Sequence, residues 1–341
     1  MKDRLAVGHA WAMRAWLLDR FTGVGTLRLG EVSDPTPAAG EVVLQMHYAG
    51  LNPADRYLAE GQYPAKPALP HVLGRDGLGT VIELGTGVTG IAVGDRQIVL
   101  RGEVGVDRPG TFAERVAVPV ASLVDVPLGW DETEAAGATL VYLTAHQALT
   151  MWSPLATSSV VLVTGASGGV GVASVQLAAA LGFTVVALSR SEDKRNRLGQ
   201  LGANLCLDPA ESTWPLALKK ALAPRRVDLA IDNIGGALLP VVIDTLGDAG
   251  KVSLVGRLAG PVPAFNTAAL FFRRIRLGGV AVGANTNAES RAAWRDVLDL
   301  LARTDARPLV DSVLPFAELP KAFEQLAAGP MGKVILRVGG G

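Results

Sequence analysis

Cysteine is almost absent from this chain. Cys206 is the only cysteine among 341 residues, so no disulfide can form within the chain. A structural metal site built from four cysteines is excluded for the same reason. Proteins without disulfides are typical of reducing compartments, and we therefore expect a cytoplasmic location.

An excess of charge of either sign is also missing. Lysine and arginine together number 32, and so do aspartate and glutamate, which leaves a net charge of zero. Binding to nucleic acid depends largely on the neutralisation of phosphates by basic side chains. The balanced charge therefore predicts that nucleic acid is not a partner. Hydrophobic residues make up 49% of the chain, as in a well-packed globular protein.

Charged residues are lacking altogether between Ser159 and Arg190, over a stretch long enough to span a membrane as a helix. Five glycines interrupt this stretch, and β-branched runs stand at both of its ends. A strand, a tight turn, a helix and a second strand explain the pattern better than a membrane span. Residues 1–12 contain no long apolar run of the kind found in signal peptides, and we interpret them as an N-terminal extension.

Two kinds of sequence pattern divide the rest of the chain. The first third is rich in short strands and glycine-containing turns, for example in EVVLQMHYAGL and GTVIELGTGV. The middle alternates helical stretches with apolar strands, which predicts a parallel sheet with helices on both faces. The strands of that sheet are predicted at 159–164, 184–188, 227–231, 251–255 and 277–282.

The last part of the chain contains a helix at about 288–303, a second short helix and the strand GKVILRV. We expect this last strand to return to the sheet of the first domain. The predicted fold is α/β, with a β-rich domain and a doubly wound parallel-sheet domain. We assign 13–138 and 286–341 to the β-rich domain and 139–285 to the parallel-sheet domain.

The segment VVLVTGASGGVG is the most informative stretch of the sequence. A strand ends at Thr164, and apolar residues recur with helical spacing from Val170 onwards. Glycines let backbone N–H groups approach a pyrophosphate, and the positive end of the helix attracts its negative charge. The pattern therefore predicts a dinucleotide site that includes Ser167, Gly168, Gly169 and Val170. The alternative is a glycine-rich turn that only packs.

The next strand ends in Ser189 and Arg190, where enzymes that use NAD carry an acidic residue for the ribose 2′-hydroxyl. A hydroxyl and a guanidinium suit a 2′-phosphate instead. Lys194, one helical turn further on, adds a positive charge. We therefore predict that the coenzyme is NADPH. The alternative is that Arg190 and Lys194 are solvated charges near Ser191, which is well placed to cap a helix.

Together with other segments, these residues resemble one protein family. From Met13 to Val338 the sequence is similar to zinc-independent medium-chain dehydrogenases/reductases of the quinone oxidoreductase (zeta-crystallin-like) branch. The resemblance rests on the order and spacing of AGLNPADRYLAEGQYP, PHVLGRDGLGTVIELGTGVTGIAVGDRQI, GTFAERVAVP, GATLVYLTAHQAL, VTGASGGVG, LGAN, VDLAIDNIGG, GKVSLVG and GKVILRV. It implies a GroES-like catalytic domain, a Rossmann domain, NADPH as hydride donor and a homodimer formed through the strand in IRLGGVAVG.

The resemblance also bears on metal binding. Zinc-bearing relatives carry cysteine and histidine ligands near GLNPADRY and LGRDGLG, where this chain has Asn52, Arg75 and Asp76. A catalytic zinc needs three clustered protein ligands, and the four histidines of the chain show no such spacing. We therefore expect no metal site, and we expect His47 and His146 to be packed, hydrogen-bonded histidines.

Without a metal, hydrogen-bond donors must stabilise the negative charge that hydride transfer creates on a substrate oxygen. The resemblance places Asn52 and Tyr57 beside the nicotinamide. It implies that Tyr57 donates a hydrogen bond or a proton and that Asn52 orients the coenzyme or the substrate. The alternatives are a tyrosine that only covers a domain surface and an asparagine that only forms a turn.

Further coenzyme contacts are expected at the ends of other elements. Asn233, Val255 and Gly256 stand at the carboxyl ends of predicted strands, where open α/β sheets bind their ligands. Thr144, in YLTAHQAL, resembles a threonine that reaches the coenzyme in the family. The alternative is a threonine that bonds to a carbonyl of its own helix.

The sequence thus predicts an enzyme that transfers hydride from NADPH to a quinone or an α,β-unsaturated carbonyl compound. One alternative is a reductase of enoyl thioesters carried by coenzyme A or an acyl carrier, for which FFRRIR at 271–276 would supply a basic patch. A less favoured alternative is a non-catalytic nucleotide- or RNA-binding protein, like the lens crystallins of the family. The zero net charge argues against this last role.

Overall fold

A computed structural model describes residues 12–100, 103–262 and 264–339. The predicted N-terminal extension therefore lies, except for Ala12, outside the described residues. The chain forms two compact units. The first comprises the residues up to Leu128, Val313–Leu326 and the residues from Ile335 onwards. The second comprises Gly129–Ser312 and Ala327–Val334.

The elements are numbered in chain order. The strands are β1 (Ala12–Leu18), β2 (Leu27–Ser33), β3 (Glu41–Gly50), β4 (His71–Val72), β5 (Asp76–Leu84), β6 (Arg96–Val99), β7 (Arg115–Pro119), β8 (Leu123–Asp125), β9 (Val160–Val163), β10 (Thr184–Leu188), β11 (Leu205–Leu207), β12 (Val227–Asp232), β13 (Leu246–Leu254), β14 (Arg276–Gly279), β15 (Val310–Pro315) and β16 (Lys333–Arg337). The helices are α1 (Pro53–Ala59), α2 (Glu132–Ala136), α3 (Thr139–Thr150), α4 (Gly169–Ala180), α5 (Glu192–Gln200), α6 (Trp214–Leu222), α7 (Leu238–Thr245), α8 (Ala268–Phe272), α9 (Asn287–Thr304) and α10 (Leu319–Ala328).

The first unit is built on antiparallel sheets. β1 pairs with β2 along its whole length and with β4 at its end. The larger sheet has the order β15-β16-β3-β5-β6-β8, with β7 also paired to β3. Its core includes Phe112, whose ring meets that of Phe323 edge to face with centroids 6.1 Å apart. Ile335 of β16 lies opposite Gly50 of β3, which confirms that the last strand returns to this sheet.

The second unit contains a six-stranded parallel sheet in the order β11-β10-β9-β12-β13-β14. Counted from its first strand, this is the order 3-2-1-4-5-6 of a doubly wound dinucleotide-binding sheet. α6 and α7 pack Trp214, Leu218 and Val242 against the buried strands, whereas α3, α4 and α9 pack against one another in a second layer. The predicted α/β fold with a β-rich part and a doubly wound parallel sheet is confirmed.

The uncharged stretch between Ser159 and Arg190 forms β9, α4 and β10. Strand, turn, helix and strand occur in the predicted order. Within the described ranges, no helix is both long enough and apolar enough to cross a lipid bilayer.

The end of the second unit differs from the predicted domain boundary. The helix expected at about 288–303 is present as α9, which begins with reciprocal side-chain-to-backbone hydrogen bonds between Thr286 and Glu289. α9 buries Trp294 and Leu301 and contacts α3 and α4. It therefore belongs to the unit with the parallel sheet rather than to the β-rich one.

Candidate functional site

A glycine-rich turn joins β9 to α4. Gly165 has a φ of 57°, in the left-handed region that glycine adopts without strain. Gly168 is the N-cap of α4, and the helix begins at Gly169. The first N–H groups of a helix have no partner within it, and they form the positive end of its dipole. The residues predicted to bind phosphate therefore lie where a helix presents free donors.

Gly171 brings α4 close to this turn. A Cβ at this position would stand 2.3 Å from the carbonyl oxygen of Gly165 and 2.6 Å from the carbonyl carbon of Ala166. Both are backbone atoms, so any side chain here forces the turn or the helix to move. A Cβ at Gly168 would meet no atom closer than 3.6 Å, so the turn is open on the side of its N-cap.

Two neighbouring segments hold the turn in place. The N–H of Ala166 donates to the carbonyl of Leu188 at 3.1 Å, and the N–H of Gly332 donates to the carbonyl of Ser167 at 2.8 Å. Leu188 ends β10, and Gly332 immediately precedes β16. The shape of the turn is therefore fixed by the protein itself.

β9 and β12 lie where the strand order reverses, the place at which open α/β sheets bind ligands. The hydroxyl of Thr164 donates to Oδ1 of Asp232 at 2.6 Å and accepts from the N–H of Asn233 at 3.0 Å. Nδ2 of Asn233 donates to the carbonyl of Thr164 at 2.8 Å. These bonds fix the orientation of the Asn233 side chain at the carboxyl end of β12.

Asn233 carries a buried acceptor. The residue is 7% exposed, and its Oδ1 makes no hydrogen bond with any residue that the structure describes. Leaving such an acceptor without a donor costs about 1–3 kcal/mol. A ligand hydroxyl would supply the donor, so this atom fits the ribose of a dinucleotide bound at the end of the sheet.

Val255 and Gly256 follow β13 beside Asn233. Their N–H groups both point to the carbonyl oxygen of Asp232, at 2.9 and 3.3 Å. A Cβ on Gly256 would lie 2.8 Å from the carbonyl oxygen of Asn233, so only glycine allows this approach of the two strand ends. The structure thus brings the predicted residues after β12 and β13 together.

The tip of β10 carries the residues predicted to bind a 2′-phosphate. Ser189 is buried, and its N–H donates to the carbonyl of Leu207 in β11 at 3.1 Å. Arg190 is exposed. The tip of β10 therefore has a backbone that is hydrogen-bonded to β11 and an exposed, positively charged side chain.

Ser191 and Lys194 begin the next helix. The hydroxyl of Ser191 accepts from the N–H of Lys194 at 3.4 Å, so the predicted N-cap of α5 is present. The ammonium group of Lys194 donates to the carbonyl of Gly329. This contact anchors Lys194 to the backbone of the same unit and leaves two of its N–H donors for other partners.

Two further residues at this tip were missed by the sequence analysis. Nη1 of Arg195 donates to the carbonyls of Ser189 and Arg190 at 2.8 and 3.0 Å and lies 3.1 Å from Oδ2 of Asp208. Arg195 sits in a helix full of charged residues, and Asp208 precedes a proline turn. The sequence around Arg195 and Asp208 gives no signal that distinguishes either residue from a charged side chain exposed to solvent.

Thr144 lies in α3, and its hydroxyl donates to the carbonyl of Leu140 at 2.7 Å. This is the bond to its own helix that the sequence left open as an alternative. The hydroxyl oxygen can still accept a hydrogen bond, and a contact with the coenzyme stays a prediction.

In the first unit, Asn52 belongs to a buried polar cluster. Nδ2 of Asn52 donates to Oδ2 of Asp76 at 3.0 Å, and its N–H donates to Oδ2 of Asp55 at 2.9 Å. Asn52 is 3% exposed and both aspartates are fully buried. Nε of Arg75 lies 3.5 Å from Oδ1 of Asp55, which brings a positive charge into the cluster. Asn52 is also the N-cap of α1, so it does shape the local backbone.

Tyr57 lies in α1. It is half-buried, and the guanidinium carbon of Arg56 lies 5.6 Å from the centroid of its ring. This contact is compatible with packing and with chemistry alike, so a catalytic role for Tyr57 stays a prediction.

Three histidines, His47, His71 and His146, lie among the described residues. Among residues 12–100, 103–262 and 264–339, no three His, Cys, Asp or Glu side chains are grouped so as to hold a metal ion. His47 lies in β3 with Nε2 3.0 Å from the hydroxyl of Thr80. His146 is packed in α3, where burial lowers its pKa, and its Nε2 lies 3.7 Å from Oδ2 of Asp296. Both are packed side chains, and His47 is hydrogen-bonded, as predicted.

Comparisons with known proteins identify the family. Residues 38–128 match the alcohol dehydrogenase GroES-like domain, and residues 169–303 match the zinc-binding dehydrogenase domain. Acryloyl-coenzyme A reductase of Metallosphaera sedula is 30% identical over 90% of this chain and 95% of its own length. The chain belongs to the medium-chain dehydrogenase/reductase family. Quinone oxidoreductase of Sus scrofa is 28% identical to this medium-chain dehydrogenase/reductase over 95% of the chain and 97% of its own length.

Solved structures agree with this membership. The crystal structure of an NAD-dependent alcohol dehydrogenase superposes on the enzyme with a TM-score of 0.88 at 29% identity, over 96% of this chain and all of the other. A mycobacterial protein solved in complex with NADPH has a TM-score of 0.86 at 28% identity, again over 96% of this chain and all of its own. Proteins described with either coenzyme are therefore similarly close in structure to this enzyme.

The predicted family and fold are thus confirmed. The enzyme is an oxidoreductase of a nicotinamide-dependent family, and its first unit holds the matched GroES-like domain. The glycine turn, the open side of Gly168 and the buried Oδ1 of Asn233 all fit a dinucleotide in the second unit. The two predicted catalytic residues, Asn52 and Tyr57, belong to the first unit.

Proposed function

We propose that this oxidoreductase binds NADPH and transfers hydride to a quinone or an α,β-unsaturated carbonyl compound without a metal ion. The tip of β10 carries the proposal: Ser189 and Arg190 stand where NAD-dependent enzymes have an acid. An acid there repels a 2′-phosphate, whereas the exposed guanidinium of Arg190 attracts it. The similarity to a protein solved with NADPH supports this choice.

The second unit supplies the groups that hold the coenzyme. The N–H groups of Gly169 and Val170, together with the turn residues Ser167 and Gly168, bind the pyrophosphate at the start of α4. Lys194 adds a positive charge near the adenosine end, one helical turn from the tip of β10.

The nicotinamide end lies at the carboxyl ends of β12 and β13 in this proposal. Oδ1 of Asn233 accepts a hydrogen bond from a ribose hydroxyl. This buried oxygen thereby gains the donor that it lacks among the described residues. Val255 and Gly256 border the riboside through their backbone, and Thr144 offers its hydroxyl oxygen as an acceptor.

The bound coenzyme supplies the hydride. In the proposed mechanism negative charge develops on the substrate oxygen, directly in a quinone or through conjugation in an enone. Tyr57 donates a hydrogen bond or a proton to that oxygen. The amide of Asn52 is held by its bond to Asp76, which supports an orienting role for Asn52 rather than proton donation.

The donor set supports chemistry without a metal. At the positions where zinc-bearing relatives have ligands, this chain carries the amide of Asn52, the guanidinium of Arg75 and the carboxylate of Asp76. An arginine does not ligate zinc, and the amide already donates to the carboxylate. These residues do not fit a catalytic zinc site.

A second candidate is the reduction of an enoyl thioester. The observation in its favour is the 30% identity to acryloyl-coenzyme A reductase. The basic patch expected at 271–276 has fewer available positive charges than its sequence suggests. Arg273 donates to the carbonyls of Leu246 and Ile243 and lies 3.6 Å from Asp244, so this charge is already engaged within the second unit.

A screen of electron acceptors tests the function. Purified protein with NADPH is offered 1,4-benzoquinone, an α,β-unsaturated aldehyde and crotonyl-coenzyme A, and the loss of NADPH absorbance is followed. We expect turnover with the quinone or the aldehyde, and the same screen with NADH gives the coenzyme preference. Turnover with crotonyl-coenzyme A alone would select the thioester reductase. No turnover with any acceptor, despite binding of NADPH, would favour the non-catalytic role.

The proposal includes a homodimer in the cytoplasm with a small-molecule substrate. β14 is an edge strand of the parallel sheet, and the preceding Phe271 and Phe272 are 64% and 79% exposed. An edge strand that follows two exposed aromatic rings supports pairing with a second copy at this edge. Light scattering on the purified protein tests the dimer, and a monomer at micromolar concentration would remove it.

A further inference from the structure

The guanidinium of Arg195 ties three segments of the second unit together. Its Nη1 lies 2.8 Å from the carbonyl oxygen of Ser189, 3.0 Å from that of Arg190 and 3.1 Å from Oδ2 of Asp208. It therefore joins α5 to the loop after β10 and to the residue after β11. The side chains of Arg195 and Asp208 are 21% and 18% exposed, so water screens this ion pair less than one on an open surface.

Asp208 places a carboxylate beside the tip that we propose to receive a phosphate. Because one nitrogen contacts both groups, the carboxylate lies within about 6 Å of the Ser189 carbonyl, close enough for its charge to act there. An uncompensated acid at this tip favours a 2′-hydroxyl and repels a 2′-phosphate. Both oxygens of Asp208 are engaged here, Oδ1 by the N–H of Ala210 at 2.8 Å and Oδ2 by Arg195.

The two carbonyl contacts give Arg195 a second effect. They hold the backbone of Ser189 and Arg190 in one orientation relative to α5. The hydroxyl of Ser189 and the guanidinium of Arg190 project from this backbone. Among the described residues, loss of these contacts would leave the tip one hydrogen bond to the sheet, from the N–H of Ser189 to the carbonyl of Leu207.

From this geometry we infer that Arg195 and Asp208 form a specificity-determining pair that makes the tip of β10 accept NADPH rather than NADH. Arg195 is a positioning residue, which compensates the charge of Asp208 and orients the tip. The inference rests on the coenzyme choice in the proposed function. It adds that the preference for NADPH depends on the neutralisation of the Asp208 carboxylate by Arg195 as well as on the positive charge of Arg190.

Calorimetric dissociation constants for NADPH and NADH test the inference on the full-length protein. Arg195→Met removes the cation and keeps an unbranched stem. We expect the preference for NADPH to fall by about tenfold in this variant, because Asp208 is then uncompensated. Affinity for NADH should be unchanged or higher, a result that a misfolded variant cannot give. Combining Arg195→Met with Asp208→Asn should restore part of the preference, because a neutral amide does not repel the phosphate.

Arg197→Met is the matched control. It lies in the same helix and removes the same charge, but its guanidinium bonds to Oε1 of Gln200 at 2.8 Å and not to the tip. We expect this variant to keep the wild-type preference. An equal preference in Arg195→Met and Arg197→Met overturns the inference, and so does a double variant that recovers nothing. Equal affinity of the wild-type protein for both coenzymes would instead overturn the coenzyme choice of the proposed function.

Discussion

Gly171→Ala is the smallest change that should disrupt the phosphate-binding turn. The added methyl group would stand 2.3 Å from the carbonyl oxygen of Gly165 and 2.6 Å from the carbonyl carbon of Ala166. Real Cβ atoms essentially never approach closer than 3.0 Å. Since both neighbours are backbone atoms, α4 and the turn must separate by roughly 1 Å.

Two opposing terms set the effect of Gly171→Ala on stability. Alanine in a helix interior is favoured over glycine by about 0.5–1 kcal/mol, whereas overpacking a buried site costs about 1–3 kcal/mol. We therefore expect the free energy of unfolding to fall by about 1–2 kcal/mol. The effect on binding should be larger, because the N–H groups that face the phosphates move with the helix. Loss of one hydrogen bond to a charged phosphate costs about 1.5–3 kcal/mol, or roughly ten- to a hundredfold in affinity.

Urea denaturation and calorimetry with NADPH measure the two effects of Gly171→Ala. Gly199→Ala is the control, because Gly199 lies in α5 and a Cβ there meets no atom within 4 Å. This control should gain about 0.5–1 kcal/mol and bind NADPH as before. Wild-type affinity in Gly171→Ala would refute the reasoning, since the phosphates would then not rest on the start of α4.

Three further predictions concern single side chains. Arg190→Asp should raise the Michaelis constant for NADPH much more than that for NADH, and equal changes in steady-state kinetics would remove the 2′-phosphate assignment. Tyr57→Phe should lower kcat by about a hundredfold, and unchanged turnover would reduce Tyr57 to a packing residue. Burial lowers the pKa of His71, so the folded protein favours its neutral form. The unfolded chain takes up this proton as the pH falls through about 6.5, and stability should then be lost by up to about 1.4 kcal/mol per pH unit. His71→Asn should make this dependence shallower in denaturation series between pH 5 and 7, and an unchanged slope would contradict the assignment.

The parallel sheet could be predicted because its strands have a strong local signal. β9 and β10 are uncharged and rich in β-branched residues, with a glycine two positions after β9 and two positions before β10, and their predicted bounds lie within a residue of those observed. β11 was not predicted. It has only three residues, all half-buried, so it shows neither a long apolar run nor an alternation.

The domain to which α9 belongs could not be predicted from its own sequence. Its apolar residues show that one face of the helix is buried, and Thr286 with Glu289 marks its start. A periodic pattern does not show which surface covers the buried face. In the structure that surface includes α3 and α4, so 286–312 lies with the parallel sheet.

The difference between local sequence patterns and contacts that form only on folding also explains which site residues could be predicted. The glycine turn is specified by backbone geometry, which leaves glycines at fixed spacing in the sequence. The contact between Arg195 and Asp208 depends on three segments that meet only after folding. The sequence next to a charged residue in a charged helix does not indicate such a contact.

The buried cluster around Asn52 occupies the place that we propose to be free of a metal. Buried carboxylates must be compensated, and those of Asp55 and Asp76 receive donors from the protein itself. The N–H and the amide of Asn52 serve one aspartate each, and Arg75 faces Asp55 while it donates to the carbonyl of Ala54. One oxygen of each carboxylate, Oδ2 in both cases, is therefore engaged by a protein donor, and Oδ1 of Asp55 faces the guanidinium of Arg75. In the proposed mechanism, catalysis depends on hydrogen-bond donors whose orientation is set by folding, the condition under which they best stabilise a developing oxyanion.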